Sequence, residues 1–182
     1  MNGAHEITVR GLGMEDIPLI VDYWHNADEA FLRGMGADIH KLPGRNEFAQ
    51  MLENQLSLPD SKKSSLAMIM EVDGNPEGHC NVNKICFGKE AFMHLHIWKP
   101  GKRMKGMGRF MVKASIPHFF ERLQLETLWC EPMAGNPAPN KTLKKLGFEF
   151  IKRYKTIPGA INFEQEVNQY RLDRNGLKEM MA

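Results

Sequence analysis

Apolar residues along this chain recur with two different spacings, and the switches between them divide it into elements. Residues 6–10 alternate, with Ile7 and Val9 on one side, and Gly11-Leu12-Gly13 closes that short strand. Ile17, Ile20, Val21 and Trp24 then fall at i, i+3, i+4 and i+7, with Asp16 placed to cap a helix and Pro18 in its first turn. A second helical piece, 28–35, turns Ala30 and Phe31 inward before Gly34 and Gly36 stop it. Residues 37–45, with Pro43-Gly44, have no period and read as a loop, and 46–56 are helical again with Phe48, Met51, Leu52 and Leu56 on one face.

Beyond the polar connector 61–65 the spacing drops to two. Residues 66–72 and 78–87 read as a hairpin turned by Asp73-Gly74-Asn75-Pro76, and a further turn at 87–90 leads into the apolar run 91–98. After a loop at 99–105 a helix is expected over 106–123. Met107, Phe110, Met111 and Ala114 share one face of it, and Ile116, Phe119, Phe120 and Leu123 follow in a phase shifted by Pro117. Residues 125–131 form a short strand that a crossover helix makes parallel to 91–98. A helix over 136–146 is closed by Gly147, and strands at 148–156 and 165–172 are joined by an unusually apolar loop, 157–163.

The order predicts an α/β domain over 1–175, with a central mixed, mostly antiparallel sheet of about seven strands flanked by helices, and a frayed tail at 176–182. Its 182 residues are enough for one sizeable core, and 42% hydrophobic with 25% charged residues is ordinary globular composition. A formal net charge of +2 gives no reason to expect nucleic acid. Cys80, Cys86 and Cys130 lack C-x-x-C spacing and read as buried thiols in a reducing compartment. With neither a signal-peptide core nor a membrane-length apolar run, a cytoplasmic protein without membrane association is expected.

The chemistry concentrates where the strand 91–98 meets the helix. Arg103-Met104-Lys105-Gly106-Met107-Gly108 places a glycine-rich turn at a helix start, where backbone N–H groups without helical partners converge on one spot suited to phosphate. Lys102, Arg103, Lys105 and Arg109 surround the turn with positive charge, and a Cβ at Gly106 or Gly108 is expected to obstruct a pyrophosphate. A dinucleotide fingerprint would need glycine at Met111, and a Walker A loop would need Lys and Ser/Thr at Met107 and Gly108.

The pattern R-x-x-G-x-G after a strand resembles the acyl-CoA pyrophosphate loop of the GNAT acetyltransferase superfamily. Asn136-Pro137-Ala138, ten residues ahead of Leu146-Gly147-Phe148, resembles its N-x-x-S and K-L-G-F landmarks in the right order. The nearest branch acetylates ribosomal protein N-termini and small amines. The resemblance implies a GNAT-like fold with a βαβ acyl-CoA core, acetyl-CoA as co-substrate, no metal, and direct acetyl transfer to a primary amine of a small molecule or peptide, by a monomer or homodimer. It places the donor at Ile97, Trp98, Arg103, Met104, Lys105, Gly106, Met107, Gly108, Arg109 and Asn136. Trp24, Met35, His40, Ile157 and Phe163 are the implied acceptor contacts, with packing against the first helices the alternative for the 157–163 loop. The backbone N–H that meets the acyl oxygen is implied near Ile97 or Trp98.

Many members of that family carry a glutamate on the strand corresponding to 91–98, whereas here alternation sets Phe92, His94, His96 and Trp98 on one face. His94 and His96 are therefore the candidate catalytic bases, with an expected acidic limb near ~6–7, and Glu71, His79 and Glu131 are weaker candidates. Pro139 stands where the family has serine, which removes a hydroxyl and an N–H that Asn136 could have capped. Two other readings remain open: a non-catalytic CoA-binding module of the same fold, and a cupin-like metal barrel suggested by His94-x-His96 after Gly88, which lacks the glutamate and second motif it requires.

Overall fold

The apolar run of the second strand is buried on both sides because strands flank it and helices cover both faces of the sheet there. The computed structural model describes residues 5–98 and 106–182, so Lys102, Arg103, Met104 and Lys105 of the predicted phosphate turn lie outside the described residues. Among the described residues seven strands are present: β1 (Ile7–Gly11), β2 (Ser65–Val72), β3 (Asn75–Cys86), β4 (Glu90–Ile97), β5 (Thr127–Cys130), β6 (Glu149–Thr156) and β7 (Gln165–Asp173). They form one open sheet in the order β1-β2-β3-β4-β5-β7-β6. Every neighbouring pair is antiparallel except β4 and β5, which run parallel. The helices are α1 (Ile17–His25), α2 (Glu29–Gly34), α3 (Arg45–Ser57), α4 (Met107–Arg122), α5 (Pro137–Lys145) and α6 (Arg174–Met181). An open sheet rules out the barrel that the cupin-like reading needs, and among the described residues no His/Cys/Asp/Glu group could hold a metal ion.

Alternation assigns the two faces. Leu66, Met68 and Met70 of β2 pack with Met111, Ile116, Phe119 and Phe120 of α4, while Ile69 points the other way into a smaller cluster with Ile20 and Trp24 of α1 and Leu32 of α2. The β2–β3 turn follows from Asp73 and Gly74, both at positive φ (52° and 75°), the twist that a two-residue hairpin requires. No helix among the described residues is long and apolar enough to cross a membrane.

The structure corrects four details of the pattern. Leu32, fully buried, is the inward residue of α2 and Ala30 is exposed, since the larger side chain gains more from burial. Phe110 is exposed on the far side of α4; without it, Met107, Met111, Ser115, Ile116, Phe119 and Phe120 form one continuous face, so no change of phase at Pro117 is needed. Cys86 is exposed, unlike Cys80 and Cys130. The tail expected to fray is instead α6, started by the Asp173 carboxylate accepting from Gly176 N–H (2.9 Å) and held by Leu177 and Met180 against the main core.

Asp16 also differs from expectation. Its carboxylate reaches backward, accepting from Gly13 N–H (2.8 Å) and from two Arg10 nitrogens (2.6 and 2.9 Å), while Arg10 Nε donates to Glu71 (2.7 Å). This network ties β1 and β2 to the start of α1, and it engages Glu71 structurally. Asp16 is fully buried, so Asp16→Ala strands the Gly13 amide and part of the guanidinium; a loss of about 3 kcal/mol in urea-unfolding free energy is expected at neutral pH. A change under ~1 kcal/mol would show that Glu71 alone holds Arg10.

Candidate active site

The site begins where a strand pair stops pairing. β4 and β5 are in register from Glu90↔Thr127 to Met93↔Cys130, and β5 ends there while β4 continues to Ile97. Past that point, among the described residues, β4 pairs on its β3 side alone, and a cleft of about 760 Å³ opens between the strands. Trp98 N–H donates to Glu77 O (3.0 Å), so the residues at even positions turn their backbone toward β3. The main chain of Met93, Leu95 and Ile97 therefore faces the cleft, in keeping with Cys130 Sγ donating to Met93 O (3.2 Å). Of the two implied amide donors Ile97 turns its N–H away from β3 toward the cleft, and Leu95 shares its orientation. Trp98 is withdrawn, because its amide is bonded to Glu77 and its indole N–H donates to His79 Nδ1 (2.7 Å).

Side-chain alternation sets His94, His96 and Trp98 on the α1–α2 face and Leu95 and Ile97 on the α4 face. The indole N–H can only donate, so His79 keeps its own proton on Nε2. His96 stacks on His79 (4.7 Å between ring centres), meets the edge of Trp24 (4.9 Å), and places Nδ1 3.3 Å from the Tyr23 hydroxyl. His94 Nε2 donates to Asn83 Oδ1 (3.1 Å), which leaves the lone pair on Nδ1. Burial disfavours the charged form of all three rings: it pushes His94 down to about 4, with Lys84 adding repulsion, His79 down to about 3, with His94 adding, and His96 well below its ordinary value, with His79 and His94 adding. The rings are neutral at physiological pH, and His94 and His96 both line the cleft.

The opposite wall is made by two helix starts. Gly106, at φ +95°, is the residue before α4, a conformation that favours glycine, and Phe110 N–H is the first amide bonded to it (2.9 Å). Gly106, Gly108 and Arg109 line the cleft, while Met107 turns its side chain into the core. A Cβ at Gly108 would meet Ile97 Cδ1 at 3.6 Å and Leu95 Cδ2 at 3.9 Å, ordinary contacts, so Gly108 is not required by packing and its open side faces β4. Asn136 precedes α5 with no side-chain capping bond, Pro139 having removed one of the two amides it could cap, and both line the cleft with Lys141 and Lys145. Asn140 holds this end of α5 in place: its Nδ2 donates to Met133 O (3.0 Å) and Asn136 O (2.6 Å), and its Oδ1 accepts from Asn168 (2.7 Å) and the Tyr170 hydroxyl (3.0 Å).

Of the implied acceptor contacts, Trp24 is buried beneath His96, His40 and Ile157 are exposed outside the cleft, and Phe163 also lies off its lining. The 157–163 loop instead packs on the turn after α2. Gly36 O accepts from Asn162 Nδ2 (2.8 Å), Gln165 Nε2 (3.0 Å) and Phe163 N–H (3.4 Å), and Asp38 N–H donates to Ile161 O (2.8 Å). Tyr23, Phe31, Met35, Pro158, Asn162 and Gln165 form the cleft surface there. Met35 is among the acceptor contacts that the resemblance implied; sequence pattern did not single out the other five for this surface, because they come from separate segments and belong to no motif. Glu131, a weaker candidate, does line the cleft; its Oε1 accepts from the Tyr154 hydroxyl and from Gln169 Nε2 (2.8 Å).

The sequence profile of the family described as Acetyltransferase (GNAT) domain matches residues 6–149. No curated protein matches the chain in sequence. Among solved structures, spermidine N-acetyltransferase from Vibrio cholerae, in complex with CoA and spermine, is similar with a TM-score of 0.76 at 14% identity, over 94% of this chain and 98% of that one. The ribosomal L7/L12 α-N-protein acetyltransferase RimL, in complex with CoA, gives 0.75 at 13% over 93% and 95%. Aminoglycoside acetyltransferase AAC(6′)-Ib with coenzyme A gives 0.71 at 13% over 97% and 100%. Identities this low carry the fold alone, whereas the profile spans most of the chain. The chain belongs to the GNAT family and is an acetyltransferase with acetyl-CoA as its acyl donor.

Proposed function

We propose that this chain transfers acetyl directly from acetyl-CoA to a primary amine held in the same cleft, and that His94 takes the amine's proton. The observation that carries the assignment is the His94–Asn83 hydrogen bond, which fixes the tautomer so that Nδ1 is the basic atom of a cleft-lining ring. The donor's features fit the walls described: an elongated anionic thioester matches a splayed strand pair, a helix N-terminus and the cations Arg109, Lys141 and Lys145. Gly106, Gly108, Arg109 and Asn136, with Met107 through its backbone, would hold it together with Arg103, Met104 and Lys105. Bound acetyl-CoA supplies an activated acyl group.

The chain's own residues supply the rest. Holding the amine and the thioester in one cleft removes much of the entropic barrier. Ile97 N–H, with Leu95 N–H beside it, is aimed where a carbonyl oxygen gains negative charge. His94 Nδ1 receives the proton released as nitrogen bonds the acyl carbon, the C–S bond breaks to release the thiolate, and solvent protonates that thiolate. His96, locked between Tyr23, Trp24 and His79, positions that face rather than exchanging protons.

A ring titrating near 4 is available as a lone pair at neutral pH, so the acidic limb near ~6–7 expected from an unperturbed histidine is replaced by one at lower pH. The rise of rate around neutrality then follows the ionisation of the amine itself.

Two outcomes test this reading. Acetyl-CoA at a hundredfold excess over Kd should stabilise the protein by about 2.7 kcal/mol, seen as a raised Tm, and His94→Gln should keep that shift while lowering kcat at least ~10²-fold. Near-normal turnover in His94→Gln would return His94 to a structural role. The second concerns pH. With folded-state values of the three histidines depressed, the unfolded chain binds more protons below the ordinary value of 6.5; unfolding free energy should therefore fall as pH drops from 6.5 through about 4 toward about 3. Urea titrations across that window should show a shallower decline for His94→Gln than for the parent, and an identical decline would mean that His94 titrates normally in the fold.

A further inference from the structure

The acceptor half of the cleft carries little charge. On the α1–α2 side its surface is Tyr23, Phe31, Met35 and Pro158, with Asn162 and Gln165 as its amides. The donors of both amides are already engaged by the chain: Asn162 Nδ2 by Gly36 O, and Gln165 Nε2 by Gly36 O and Phe163 O (3.2 Å). The neighbouring imidazoles are neutral, for the reasons given above. Among the described residues one carboxylate lines the whole cleft, Glu131, and neither undescribed stretch of the sequence contains an acidic residue.

Glu131 has one oxygen to offer. Oε1 is occupied by Tyr154 and Gln169, and the Tyr154 hydroxyl, pushed up to about 12 by burial and by the adjacent carboxylate, stays a donor across the working range. An acceptor with several ammonium groups would leave all but one of them in an apolar, desolvated wall without a counter-charge, facing the same-sign charges of Arg109, Lys141 and Lys145 on the donor side. An acceptor with a single amino group and an apolar body meets no such penalty: the body covers the Tyr23–Phe31–Met35 surface and the nitrogen lies near Glu131 Oε2 and His94 Nδ1.

From the pairing of this apolar wall with one carboxylate, we infer that the acceptor is a monoamine with an apolar or aromatic substituent, and that Glu131 positions its nitrogen. The inference rests on the acetyltransferase reading of the cleft. It also favours weakly basic amines, because an α-amine near ~8 is neutral in roughly a tenth of molecules at pH 7 and a lysine-type amine near ~10.4 in about one in a few thousand.

The full chain is assayed by thiol release from acetyl-CoA with phenylalanine amide, phenethylamine, spermidine and kanamycin. Phenylalanine amide is expected to have the highest kcat/KM, at least ~10-fold above phenethylamine at pH 7 with the gap narrowing as pH rises, and both should exceed the two polyamines. Glu131→Gln should raise KM for phenylalanine amide about tenfold or more with kcat changed far less and the acetyl-CoA thermal shift kept. Met35→Glu, which adds a second carboxylate to the wall, should narrow the gap between monoamine and spermidine. Preference for spermidine or kanamycin, or an unchanged KM in Glu131→Gln, overturns the acceptor class while leaving the acetyltransferase reading intact. Absence of transfer to every amine, with acetyl-CoA still binding, overturns both.

Discussion

Everything at the site depends on the strand pairing that ends at Met93 and Cys130. Two parallel strands that continued together would satisfy each other's backbone groups and bury them. Because β5 stops, the N–H and C=O groups of Leu95 and Ile97 are left to a cleft in which a ligand can meet them. The same alternation that aims those amides sends His94 and His96 to one face and Leu95 and Ile97 to the other. A one-residue slip of β4 against β3 would reverse all of it at once, pairing the two amides with β3 and moving the imidazoles to the helix α4 side. The register of an ordinary antiparallel ladder is thus the element that sets the chemistry.

The histidine face shows how packing decides protonation. Two imidazoles, His79 and His96, lie within one aromatic cluster with Tyr23, Trp24 and Trp98, His94 is bonded to Asn83 on the same sheet face, and each ring is close to another group that would repel its charge. Neutral rings are the low-energy arrangement there, and Trp98 and Asn83 fix the tautomers of two of them. A site built in this way accepts protons only briefly, which suits chemistry in which the attacking group arrives already neutral.

Much of the fold was legible because it rests on local periodicity. The β2–β3 hairpin, the crossover from β4 through α4 to a parallel β5, and the glycine closing α5 each have a short-range cause in the chain. The histidine face was legible for the same reason. Which backbone amides face the cleft was not, since that parity depends on the partner strand: of Ile97 and Trp98, both implied from the sequence, only Ile97 turns its amide to the cleft. Tyr23, Asn162 and Gln165 escaped notice because only the docking of two distant loops brings them together. In α2 and α4, counting apolar positions misplaced Ala30 and Phe110, where the real helix rotation is set by the sheet beneath.

The attachment of the acceptor wall has a further consequence. The joint between the 157–163 loop and the turn after α2 centres on the Gly36 carbonyl, flanked by the Asp38 N–H to Ile161 O and Lys41 Nζ to Asn162 O bonds; Gly36 sits at φ +81°, and a Cβ there would collide with the Gln165 side chain. Few residues therefore anchor the joint, and most of the loop surface on either side is unconstrained by it. Substitutions on the outer faces of these two loops can therefore leave the joint itself intact. Structures that share this architecture at 13–14% identity carry names as different as spermidine, ribosomal-protein and aminoglycoside acetyltransferase.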